Sequence, residues 1–164
     1  MKTARVLLAC LLVAGCAAVA PDHGLAPGKA TRAEVLAQMG QPAMTLERPG
    51  GGHQLYFTHW PWGRATYVAT ISADGMLREM DQRLNYWNIH KVRAGMTADE
   101  VRRLLGPPNE IGRLPRQQRD VWAYPWVHAV REGRILFVQF SDDGIVREAI
   151  EMHDYERDPE NDFN

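Results

Sequence analysis

Hydrophobic and polar residues follow two rhythms along this chain, and the same succession of rhythms occurs twice. Thr31-x-x-Glu34 opens a stretch in which Val35 and Met39 recur at i and i+4, ahead of Gly40 and Pro42. Thr97-x-x-Glu100 opens a second, with Val101 and Leu105 ahead of Gly106 and Pro108. A threonine three residues before a glutamate satisfies the orphan N–H groups of a helix start. The i, i+4 apolar positions give one buried stripe. Glycine then takes the left-handed turn that ends a helix, and proline prevents its resumption. The pattern predicts helices over residues 31–40 and 97–106.

After each helix the rhythm shortens to the two-residue alternation of strands, rich in Val, Ile, Tyr, Phe, Trp and Thr. Three strands are predicted in each half: residues 54–60, 64–72 and 76–82, then 120–127, 134–141 and 145–152. Short connections such as Ala73-Asp74-Gly75 and Asp142-Asp143-Gly144 make them antiparallel hairpins. Residues 85–92 read as a further short helix with Ile89 and Val92 inward, whereas residues 20–30 hold two prolines and two glycines and read as a linker.

The two halves are copies of one unit. Thr31, Glu34, Val35, Gly40 and Pro42 match Thr97, Glu100, Val101, Gly106 and Pro108 at an offset of 66. At the same offset Leu55-Tyr56 falls on Val121-Trp122. Ser72-Ala73-Asp74-Gly75 matches Ser141-Asp142-Asp143-Gly144 at an offset of 69. The repeat therefore predicts a three-residue insertion, placed in the hairpin around residues 131–133.

The N-terminus has a different logic. Lys2 and Arg5 precede an apolar run from Val6 to Ala14, the layout of a secretory signal peptide. The run is too short to span a bilayer. It ends Val13-Ala14-Gly15-Cys16, which resembles the bacterial lipobox. That resemblance implies cleavage before Cys16 and its acylation, with palmitate among the chains. Ala17 follows rather than Asp, which implies an outer-membrane, periplasm-facing anchor. The organisation expected is a signal peptide (1–15), a lipidated linker (16–26), unit one (27–83), unit two (84–153) and an acidic flexible tail (154–164).

Residues 95–108 read Gly-Met-Thr-x-x-Glu-Val-x-x-x-Leu-Gly-x-Pro, followed by the aromatic strand Val121-Trp122-Ala123-Tyr124 and the turn Asp142-Asp143-Gly144. This string resembles the SmpA/OmlA (BamE-like) family of outer-membrane lipoproteins. It covers unit two fully and unit one more loosely. The resemblance implies an α+β fold of two tandem α-α-β-β-β units, each with helices packed on one face of an antiparallel sheet. Two such units in tandem also resemble the β-lactamase inhibitor protein architecture.

Composition excludes more than it assigns. The 164 residues carry Lys+Arg 19 and Asp+Glu 20, a net charge of −1, so no basic field recruits nucleic acid. Cys10 leaves with the signal peptide and Cys16 carries lipid, so no thiol nucleophile remains. His23, His53, His59, His90, His128 and His153 show no metal-ligand spacing. Gly50-Gly51-Gly52 lacks the adjoining lysine and helix start of a phosphate loop. Ser72 and Ser141 lack a nucleophile-elbow setting, and the repeated acids are explained as caps and turn formers. The expectation is a protein without catalytic residues, metal, cofactor or small-molecule substrate.

Two features exceed these structural needs. Arg102, Arg103, Arg113, Arg116 and Arg119 cluster around the second helix and the loop after it. They are either a solvated face or, at Arg113, Arg116 and Arg119, a contact for anionic lipid or an acidic partner. The second feature is aromatic: Trp60, Trp62, Trp122, Tyr124 and Trp126 cluster at the first predicted strand of each unit and its exit. Alternation puts Trp122, Tyr124 and Trp126 on one side and Ala123 on the other. If the helices cover Leu55, Phe57 and Ala123, the aromatic rows form an exposed protein-binding face. The alternative is that these aromatics pack the core, with the opposite face outward. Pro125 adds an edge or bulge that can shift the alternation. The function expected is a non-catalytic lipoprotein acting as a protein-binding or scaffold module in envelope assembly, held by the lipid on Cys16 and bound to another envelope protein. The other reading is a periplasmic enzyme inhibitor that binds its target through the sheet.

Overall fold

A computed structural model describes residues 25–58, 64–128 and 132–154. Cys16, Trp60 and Trp62 lie outside the described residues. The first unit runs α1 (Arg32–Met39), β1 (Met44–Glu47), β2 (His53–Thr58), β3 (Thr66–Ile71) and β4 (Leu77–Gln82). The second runs α2 (Tyr86–Ile89), α3 (Ala98–Leu105), β5 (Glu110–Leu114), β6 (Arg119–His128), β7 (Glu132–Ser141) and β8 (Val146–His153). Strands β1-β2-β3-β4 and β5-β6-β7-β8 form two separate antiparallel four-stranded sheets.

Both expected capping boxes are present. The Thr31 N–H donates to Glu34 Oε2 at 2.7 Å while the Glu34 N–H donates to Thr31 Oγ1 at 3.3 Å. Thr97 and Glu100 repeat this at 2.7 and 3.2 Å. Gly40 and Gly106 end their helices at φ 78° and 91°. The strand turns are duplicated as well. Ser72 Oγ donates to Asp74, and the Arg78 guanidinium donates to both. Ser141, Asp143 and Arg147 reproduce that triangle.

The fold is mainly β, and the α-α-β-β-β expectation is corrected. Among the described residues there are eight strands rather than six, because α1 and α3 are each followed by a short edge strand. Met44-Thr45-Leu46-Glu47 does alternate but over four residues only, and Glu110-Ile111-Gly112-Arg113-Leu114 shows no clear two-residue rhythm. The mixed character suits an edge, where one side of the strand has no ladder partner. The segment read as a linker ahead of α1 contributes Leu25 and Ala30 to the first core.

Each sheet buries one face beneath its own helix. Val35 of α1 packs with Leu55, Phe57, Ala69, Ile71 and Leu77. Val101 and Leu105 of α3, with Ile89 and Val92, pack on Trp122, Tyr124, Val138 and Phe140. Leu84, at the sequence boundary between units, belongs to this second core.

The registers correct the repeat alignment. Leu55 pairs with Ala69, and Trp122 pairs with Val138. Ala69 and Val138 are equivalent at offset 69, so Leu55 is equivalent to Trp122, at offset 67 rather than 66. Strand β1 against β5 keeps offset 66, since Thr45 pairs with Leu55 and Ile111 with Trp122. One added residue therefore sits in the β5–β6 turn and two in the β6–β7 hairpin, not all three around residues 131–133. A one-residue slip moves every side chain of a strand to the other face.

Candidate protein interface

The slip decides where the predicted aromatic face lies. Trp122, Tyr124 and Trp126 point at α3 and are 7%, 0% and 1% exposed. They are core, and the exposed aromatic row expected on the sheet is not formed by them. Tyr124 Oη donates to the Gly106 carbonyl at 3.2 Å, and burial pushes its phenol pKa up. The Arg102 guanidinium lies over the Trp122 ring, 4.8 Å from its centroid, a cation–π contact. In unit one the same positions are Leu55 and Phe57, so the counterpart of Trp122 is aliphatic and that of Tyr124 is a smaller aromatic ring.

The arginine candidates divide. Arg113 donates to Asp120 Oδ1 and Asp142 Oδ1, both at 2.8 Å, and these hydrogen bonds raise its pKa. Arg119 donates to Gln139 Oε1 at 2.9 Å and lies 3.3 Å from Glu148 Oε2. Their charge is matched within the chain, so they fit a solvated ion-pair network better than a contact for anionic lipid. Arg116 stands exposed in the β5–β6 turn, next to Gln118, which adopts φ 50°.

What the sequence reading missed is the reverse face of β5-β6-β7-β8. With Trp122 and Tyr124 inward, Val121, Ala123, Pro125 and Val127 point outward, and the ladder aligns Ile135, Phe137, Ile150 and Met152 with them. No helix among the described residues lies on this face. Val127, Ile150 and Met152 are 44%, 37% and 55% exposed. Gly112, Leu114, Val121, Phe137, Ile150 and Met152 line a shallow hollow of about 330 Å³ there. Its rim carries the Arg113 and Arg119 ion pairs. A signal was available: Ile150 and Met152 alternate with Glu151 in the last strand, two residues apart on one side.

A second exposed apolar feature lies on α2. Asn85 caps this helix by accepting from the Asn88 N–H at 3.0 Å, and Ile89 is buried. Tyr86 and Trp87 are thereby turned outward, 46% and 75% exposed, with ring centroids 5.4 Å apart. A third feature is a cleft of about 460 Å³ where Arg83, Lys91, Arg93 and Arg103 meet Met96 and Glu100. The Glu100 carboxylate is engaged by Thr97, whose hydrogen bonds hold its pKa low. No group of three or more His, Cys, Asp or Glu side chains converges among the described residues.

No family model matches this chain, and no curated protein matches it. Among solved structures it is similar to a DUF4309 family protein, YjgB, from Bacillus subtilis, at 19% identity and a TM-score of 0.31, covering 80% of this chain and 83% of that one. It is also similar to a protein proposed as a beta-lactamase inhibitor protein, from Streptococcus mutans, at 10% identity and a TM-score of 0.32, covering 74% and 82%. These likenesses are distant and say nothing of what the present chain binds.

Proposed function

We propose that this chain is a lipid-anchored, non-catalytic protein-binding module of a bacterial envelope, and that its contact surface is the uncovered face of β5-β6-β7-β8. The observation that carries the reading is the joint exposure of Val127, Ile150 and Met152 beside Phe137 on a sheet face without a helix. Contiguous exposed apolar surface marks a site of interaction in a folded protein. The charged rim around an apolar centre is the usual anatomy of a protein interface. The anchor rests on Lys2, Arg5, the apolar run and Ala14-Gly15-Cys16. A lipid on Cys16 would hold the units at the outer membrane on its periplasmic side, and the SmpA/OmlA resemblance of residues 95–108 supports a role in envelope assembly.

The test is co-purification of the full lipoprotein from detergent, with and without Ile150→Glu combined with Met152→Glu. Loss of envelope partners at an unchanged melting temperature supports the reading. Undiminished capture by the folded double variant overturns it. Recovery of a single soluble enzyme would favour inhibition over scaffolding.

A further inference from the structure

The duplication supplies an internal precedent for what covers the open face. In unit one, the reverse face of β1-β2-β3-β4 is not left to solvent: Tyr56, Thr66 and Val68 on it are 1%, 1% and 0% exposed. The C-terminal turn of α3 reaches it. Tyr56 Oη donates to the Arg103 carbonyl at 2.9 Å. A Cβ on Gly106 would lie 2.7 Å from Thr66 Cγ2 and 3.3 Å from a Tyr56 ring carbon. Glycine at φ 91° is thus required there by the turn and by the approach of the neighbouring sheet. The end of one unit's helix seats on the back of the preceding unit's sheet.

Each half of that contact has an equivalent elsewhere in the chain on which no helix among the described residues is seated, although Ala123 itself is only 8% exposed between its strand neighbours. On the receiving side, Tyr56, Thr66 and Val68 correspond to Ala123, Ile135 and Phe137 on the open face. On the donating side, Arg103 and Gly106 correspond to Ala37 and Gly40 of α1. Ala37 is exposed, and a Cβ on Gly40 would meet nothing within 4 Å. Ala123 stands where unit one has tyrosine, and Ala37 stands where α3 has arginine, so neither side of the equivalent contact carries a polar side chain there. Both changes suit an apolar contact without the hydroxyl-to-carbonyl hydrogen bond.

We infer that the open face receives the C-terminal turn of α1 from a second copy of this chain, continuing head to tail the arrangement that joins the two units within one chain. The inference rests on the interface reading above and names its partner. Such a contact is heterologous: each copy offers one donor and one acceptor, and association continues beyond two unless the ends meet.

The experiment is sedimentation velocity over a concentration series on the full chain carrying Cys16→Ala, so that detergent micelles do not set the size. The parent is expected to associate beyond the dimer as concentration rises. Ala37→Glu, which puts an unpaired carboxylate on the apolar donor turn, and Ile150→Arg, on the acceptor, are each expected to remain monomeric, with association weakened at least about tenfold. Both positions are exposed, and unchanged melting temperatures establish that the variants fold. An equimolar mixture retains one intact donor and one intact acceptor, so it is expected to form a 1:1 dimer and nothing larger. A monomeric parent at every concentration overturns the inference, as does an Ala37→Glu chain that associates like the parent. If envelope partners are still lost with Ile150→Glu and Met152→Glu while the parent stays monomeric, the interface reading stands and self-association falls.

Discussion

Arg64, where the chain enters β3, and Asp154, just past the end of β8, close the two units on one another: Nη2 donates to Oδ2 at 3.1 Å, with the side chains 14% and 4% exposed. The contact spans 90 residues of sequence. The Asp154 N–H donates to the Gly133 carbonyl at 2.9 Å, and the Arg64 guanidinium lies where a Gly133 side chain would be. Asp154 was expected to open a mobile acidic tail and is instead a buried partner.

Removing one member of a buried pair leaves the other desolvated. Asp154→Ala is expected to destabilise the fold by about 2–3 kcal/mol, below the about 3–5 kcal/mol of a fully enclosed pair because Arg64 keeps some solvent contact. The midpoint of urea unfolding measures it. A shift below about 0.5 kcal/mol would make this an ordinary surface pair.

The aromatic row tests which face is core. Trp126→Ala should cost about 3–5 kcal/mol, as for an aromatic truncated in a packed interior. Tyr124→Phe should cost about 1 kcal/mol through the lost bond to Gly106. Trp87→Ala, at an exposed site, should stay within about 0.5 kcal/mol. Equal losses at Trp126 and Trp87 would contradict the packing described above.

Acid should loosen both helix starts and both duplicated turns. Backbone hydrogen bonds from Thr31 and Thr97 hold Glu34 and Glu100 below their ordinary 4.5, and bonds from Ser72 and Ser141 hold Asp74 and Asp143 below 3.8. A pKa lowered by folding contributes stability that is complete above the unfolded value and lost as pH falls through the folded one. Melting temperature should therefore fall below about pH 4.5. Glu34→Gln with Glu100→Gln should flatten that decline. Parallel acid profiles for parent and variant would remove the caps as its cause.

Gln118 holds φ 50° in the β5–β6 turn without being glycine. Gln118→Gly should be neutral or stabilising by up to about 1 kcal/mol, since the strain relieved offsets the added freedom of the unfolded chain. Calorimetry reads this directly, and a clear loss would point to a contact made by the glutamine side chain.

Much of the helical part was legible because its signals are local. Thr31-Glu34 and Thr97-Glu100 specify their own starts, and Ile89 and Val92 fall inward from spacing alone. The sheet was legible in outline only. The identity of the buried face depends on whether the β5–β6 turn carries one residue more than the β1–β2 turn, and nothing in Val121-Trp122-Ala123-Tyr124 announces it. Matching Leu55-Tyr56 to Val121-Trp122 pairs aromatic with aromatic, yet Tyr56 faces away from α1 and Trp122 faces α3. The candidate interface was missed for the same reason, since Ala123, which lies on that face, was first assigned to the covered side.

The split insertion also says which pieces of the repeat can be exchanged. Residues 48–58 and 114–125 each contain a turn together with the strand whose phase that turn sets. Grafted whole, either segment would carry its own inside and outside into the other sheet. Grafted without its turn, β6 would enter the first sheet inverted, presenting Ala123 to α1 and turning its aromatics toward α3. The inheritable element in this duplication is the turn and strand together, and neither is a module without the other.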